Sequence, residues 1–183
     1  MSQAISESAL RERIQAWIAE GSRVLAPARI EGKPDVLYQE LASAAGWVYE
    51  GYVHPRNSIK EAVFPRHETL FDYHCRGKQI ELCEGELPNR PRIVLGATPC
   101  DAASLPILDA VFNWDYRDAR YNRRRALTTV VSLACRGCDE HCFCADLGLG
   151  PDHPQGSDAM LLARGDDTFE VRTFTEKGTR LFA

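Results

Sequence analysis

Apolar side chains at positions 10, 14, 17 and 18 fall at the spacing that puts one stripe along a helix, so residues 8–20 are predicted helical. Ser6 or Ser8 supplies the cap and Gly21 the stop. Residues 23–30 (RVLAPARI) read as a strand, and residues 36–53 as a short strand, a helical turn and an extended segment. Ser58 with Glu61 three residues later is a capping-box pattern, so a short helix is expected to start there and to be interrupted at Pro65. YHCRGKQIELCE (73–84) is predicted to be a hairpin bending at RGK.

RIVLGATP (92–99) and LTTVVSLAC (127–135) are near-continuous apolar runs, the mark of strands covered on both faces. Between them Asp101 is placed to cap a helix over 101–112, with Leu105, Leu108, Val111 and Phe112 facing inward. An arginine-rich helix follows. Residues 160–174 form a predicted hairpin turning at Arg164–Asp167, and 174–182 a terminal helix. Strands alternating with helices predict an α/β (α+β) fold: a mixed sheet core with short helices and the chemistry in loops at strand ends. No linker or repeat divides the chain, so residues 1–183 are read as one domain, with 1–21 as a helical appendage.

The composition, 44% apolar and 26% charged over 183 residues, is that of an ordinary globular chain. No apolar run reaches the ~20 residues that cross a bilayer, and the first 21 residues lack the apolar centre of a signal peptide. A cytoplasmic protein without membrane insertion is expected. A net charge of −4 gives no reason to expect nucleic acid. Arg117, Arg120, Arg123, Arg124 and Arg125 crowd one segment, read either as a solvated helix face or as a docking patch for an acidic partner.

Seven cysteines change the picture, because four lie within ten residues: Cys135, Cys138, Cys142 and Cys144, in CRGCDEHCFC. In a reducing compartment such a group points to metal rather than disulfides. Zinc asks for two CxxC pairs separated by a longer loop, and C-x2-C-x3-C-x-C leaves little chain to wrap an ion. A lone redox CxxC would leave Cys142 and Cys144 without a role. An iron–sulfur cluster takes thiolates from a local group plus one remote cysteine, and Cys100, ending a buried strand at a helix start, is a natural remote candidate. Gly148 and Gly150 would allow close backbone approach to such a cluster. Spacing favours iron–sulfur, with zinc behind it. Cys75 and Cys83 read as small buried strand residues, and His74 and His141 as surface or hydrogen-bonding groups.

The segments HPRNSIKEAVFPRHETLF, LGATPCDAASLPILDAVF, TTVVSLAC, CFCADLGLGPDHPQGSDAMLL and FTEKG, from about Val36 onward, resemble an iron–sulfur family. That family includes the β subunit of cytoplasmic sulfhydrogenases and an iron–sulfur subunit of anaerobic sulfite reductase. The resemblance implies one 4Fe–4S cluster held by Cys100, Cys135, Cys142 and Cys144, with Cys138 a spacer or a substitute ligand. It implies an electron-transfer subunit relaying single electrons among other redox subunits (ferredoxin-like, flavin, or hydrogenase and reductase subunits), without catalysis of its own. This chain departs from the pattern in having no C-x2-C-x2-C-x3-C-P run of the ferredoxin-like module. The reading from another class is a zinc-stabilised interaction module.

Overall fold

The structure is a computed structural model that describes residues 2–183. The strands are β1 (Ser2–Ser6), β2 (Arg23–Arg29), β3 (Val36–Glu40), β4 (Phe71–Arg76), β5 (Gln79–Glu84), β6 (Arg92–Ala97), β7 (Thr128–Leu133), β8 (Ala159–Ala163) and β9 (Thr168–Thr173). The helices are α1 (Glu7–Ala19), α2 (Pro99–Ala102), α3 (Leu105–Val111), α4 (Ala119–Leu127) and α5 (Glu176–Phe182). Seven strands form one mixed sheet in the order β1-β9-β8-β7-β6-β2-β3, and β4 pairs with β5 as a separate hairpin. The four central strands β2, β6, β7 and β8 run parallel; both margins are antiparallel. The protein is α/β, as the alternation of elements predicts.

The two apolar runs become β6 and β7 because both faces of each are covered. Ile93, Leu95, Val131 and Leu133 point into a core with Leu10, Ile14 and Trp17 of α1, Trp47, Phe169 and Phe182. Val94 and Val130 point the other way, onto Tyr38, Ile59, Val63, Leu105 and Tyr121. Each fully buried Val or Leu contributes about 1.5–3 kcal/mol, and the sheet collects them on two sides at once.

Residues 2–6, read from the sequence as part of a helical appendage, instead pair with β9 as the edge strand β1. Ser6 caps α1 by accepting from Ala9 N at 3.2 Å. The helix expected over 101–112 is broken into α2 and α3, each with Pro near its start. Val111, expected inside, is 57% exposed, whereas Leu105 is buried and Leu108 and Phe112 pack against the core. Ser58 caps a single 3-10 turn, Ile59–Ala62; Glu61, instead of completing a capping box, pairs with Arg66 at 2.5 Å.

Two further expectations are corrected. Cys75 is exposed and Cys83 half-exposed, because β4 and β5 stand clear of the main sheet and leave Tyr73, Ile80 and Leu82 largely exposed as well. Within α4 the arginines bind inward rather than forming a free docking patch, while Arg117, ahead of the helix, is exposed. Arg120 donates to the carbonyls of Gly85 (2.6 Å), Leu70 and Glu86, and also pairs with Glu68. Arg124, 6% exposed, pairs with Glu68, Arg123 donates to Pro88 O at 3.1 Å, and Arg125 holds Asp109 at 3.2 Å. The guanidinium groups of Arg120, Arg123 and Arg124 attach the hairpin and its flanks to the body of the protein.

Glycine is required at 156, where φ is +80° and an added Cβ would run into the carbonyl of Ala102. Gly156→Ala is therefore expected to cost about 2–4 kcal/mol from left-handed strain plus overpacking, read as a lowered midpoint in thermal or urea unfolding.

Candidate functional site

Adjacent parallel strands end side by side, and the crevice outside their carboxyl ends is where open α/β sheets bind ligands. Here β6 and β7 pair in register, Val94 opposite Val130 and Ala97 opposite Ser132. The chain leaving β6 carries Cys100 on α2, and the chain leaving β7 carries Cys135 two residues beyond Leu133. Two cysteines 35 positions apart in sequence come to line one cavity for that reason.

The end of β6 is turned by a bulge. Pro27 of β2 has no N–H to offer, and the β2–β6 pairing stops at Leu25–Val94. Opposite it Gly96 takes φ +74°, in contact range of the Pro27 ring, and the β6–β7 register shifts between Leu95 and Ala97. The Tyr38 hydroxyl bridges this bend, donating to Gly96 O at 3.3 Å and accepting from Thr98 N at 3.1 Å. Burial first, then the Asp101 carboxylate, hold the Tyr38 phenol well above its ordinary pKa, so it remains a neutral donor.

Beyond β7 the loop is fixed at both ends. Cys135 N donates to Pro151 O at 2.8 Å, and Ala134 N to Leu161 O at 2.9 Å. Where the loop returns, the Ser132 and Ser157 hydroxyls lie 2.5 Å apart in the interior, and Asp158 accepts from Val130 N at 2.8 Å. Cys144 opens a 3-10 turn, Cys144–Leu147, that ends at Gly148 with φ +71°. A Cβ at Gly148 would meet nothing within 4 Å and one at Gly150 only Asp152, so Gly148 serves the turn rather than a close approach by the chain itself.

Cys100, Cys135, Cys138, Cys142 and Cys144 all line one cavity of about 860 Å³, within the range of small-molecule sites. Its wall also includes Val53, Ile107, Phe143, Leu147 and Leu149, and, on the polar side, Ser58, Lys60 and Asp101. The Cys135 thiol is pushed up to about 11 by burial and then by the charges of Cys100, Cys144 and Cys142. These are the three thiols that the resemblance joins to it; Cys138 instead bears on Cys142. All seven cysteines are free thiols. Among the described residues no group of three His, Cys, Asp or Glu side chains is arranged to hold a single metal ion. The donor set fits a multi-iron cluster in its chemistry: several soft thiols share one partly apolar cavity, and cationic iron would offset the repulsion between their thiolates.

Sequence reasoning missed His54. Its Nε2 lies 3.0 Å from Asp139, its ring 6.5 Å from that of His141, and both imidazoles line the cavity. No spacing links position 54 to 139; only the fold brings them together. Asp139 also accepts from His141 N at 2.9 Å, which leads the causes that hold its carboxyl below the usual range. His74 lies on the hairpin opposite Glu81, away from the cavity. Asp101 does not cap its own helix, as expected from the sequence; its carboxylate accepts from Ser58 Oγ at 2.6 Å and Ile59 N at 2.8 Å.

A thiol at about 11 against an ordinary 9.0 ionises about a hundredfold less at pH 8. In metal-free protein, alkylation of Cys135 is expected to be about a hundredfold slower than for an ordinary exposed thiol. Its rate should rise about tenfold per pH unit up to about 11, as followed by mass spectrometry of labelled peptides.

Over 86 residues the chain is 38% identical to the sulfhydrogenase 2 subunit beta of Pyrococcus furiosus. The match covers 47% of this chain and 25% of that protein, so the chain matches about a quarter of its relative's length. No protein-family model matches the chain, and no solved structure matches it. The similarity is distant and partial, and what it relates this chain to is a subunit of a hydrogenase.

Proposed function

We propose that this chain is an electron-transfer subunit of a cytoplasmic multi-subunit oxidoreductase, of hydrogenase or reductase type, carrying one 4Fe–4S cluster on an iron–sulfur domain spanning residues 1–183. Cys100, Cys135, Cys142 and Cys144 would hold the cluster, with Cys138 as the spare thiol. When bound, the cluster supplies single-electron chemistry. The chain's own part is to gather the thiols, to line the cavity with Val53, Ile107 and Leu149, and to perform no bond chemistry itself. What supports the reading is that Cys100, just beyond β6, lines the same cavity as Cys135, Cys142 and Cys144 of the loop after β7. The other three thiols of that set are the ones whose charges bear on Cys135.

The relative's membership of a sulfhydrogenase supports a place among other redox subunits, ferredoxin-like, flavin-bearing or hydrogenase in kind. Among the described residues no helix is long and apolar enough to cross a membrane.

Anaerobic incubation with iron and sulfide is expected to give brown protein with about four irons per chain and a broad band that dithionite bleaches. Cys100→Ser, Cys135→Ser, Cys142→Ser and Cys144→Ser should each lower cluster occupancy at least several-fold, whereas Cys138→Ser should retain it. Colourless protein holding one zinc would overturn the electron-transfer reading in favour of a zinc-stabilised interaction module.

A further inference from the structure

Three of the four proposed ligands share one loop, and Cys100 alone comes from elsewhere. It sits on α2, a single four-residue turn. A turn that short has no stability of its own, so tertiary bonds set the orientation of Cys100. The Cys100 thiol itself donates to Thr98 Oγ1 at 3.4 Å, and the Asp101 carboxylate beside it ties the turn to the fold. One oxygen accepts from Ser58 Oγ at 2.6 Å and the other from Ile59 N at 2.8 Å. Ile59 is 1% exposed, packed with Ala62 and Val63 in the core beneath α2. The carboxylate thus joins the turn bearing Cys100 to the adjoining stretch of cavity wall formed by Ser58 and Lys60. Ser104 Oγ closes the other side, donating to Asp101 O at 2.6 Å.

Resting on the cluster reading above, we propose that Asp101 is the positioning residue for Cys100, its carboxylate clamping α2 to Ser58 and Ile59 so that the remote thiol faces the loop thiols. Both oxygens are engaged by protein donors, which assigns the carboxylate to the frame and leaves ligation to the thiol beside it. Two donors facing one group also explain the residue type. Asparagine could keep both contacts only by turning Ser58 Oγ into an acceptor for its NH2, and it would lose the charge that strengthens both bonds.

The test uses the full chain with Ser58→Ala, Asp101→Asn and the control Tyr121→Phe. The control removes a 2.6 Å hydroxyl bond to Asp109, between α4 and α3 and outside the cavity lining. In metal-free protein, amide hydrogen exchange at Ile59 reads the clamp directly. Protection should fall roughly tenfold in Ser58→Ala and Asp101→Asn, and stay unchanged in the control. After anaerobic loading with iron and sulfide, iron release to a chelator should be roughly tenfold faster in both clamp variants, with an altered EPR line shape once dithionite has reduced the cluster. The control should match wild type. Equal acceleration in Tyr121→Phe would reduce the effect to general destabilisation and overturn the proposal. A loaded wild type whose clamp variants release iron no faster overturns this proposal alone. A wild type that takes up no iron overturns the cluster reading and this proposal with it. Should Asp101→Asn fail to fold, Ser58→Ala, which removes a single hydroxyl, still decides.

Discussion

The parallel pairing of β6 with β7 is the constraint on which the rest depends. Parallel strands cannot be joined by a tight turn, so α2, α3 and α4 must cross over between them and cover one face. Once Val94 lies opposite Val130, the two strand ends emerge together, and whatever follows each is held within reach of the other. The cavity is a consequence of that register. A slip by one residue would turn Val94 and Val130 toward the wrong face and separate Cys100 from Cys135.

Polar groups then refine what the apolar register places. Tyr38 holds the bend at Gly96, and the Ser132–Ser157 and Asp158–Val130 bonds close the loop where it returns. Asp158 also receives Thr175 at the start of α5, and Lys177 on that helix donates to Arg125 O and Thr128 O at the end of α4. The FTEKG segment is therefore structural: it seals the end of α4 and the base of β7, remote from the thiols.

The strands are legible in the sequence where burial is two-sided, as in 92–99 and 127–135, and α1 is legible through Leu10, Ile14 and Trp17. Cys100 and the dense cysteine loop stand out as chemistry. Hidden are the pairings that depend on tertiary contact. The arginines of α4 read as a surface patch because nothing in a charge run indicates that Glu68 and the carbonyls of Gly85 and Pro88 will meet them. Asp101 reads as a helix cap because local propensity is blind to Ser58, 43 residues upstream. The edge strand β1 is invisible because five residues paired on one side carry no periodic signal. His54 belongs to the same class.

The attachment of the hairpin has a consequence for how this region can change over time. Arg120 and Arg123 grip it mainly through main-chain oxygens at Leu70, Gly85, Glu86 and Pro88, groups that every amino acid possesses. Substitution within β4 and β5 leaves that grip intact. Side chains of the outward face, Tyr73, Ile80 and Leu82 among them, can thus be exchanged without touching the oxygens by which the hairpin is anchored.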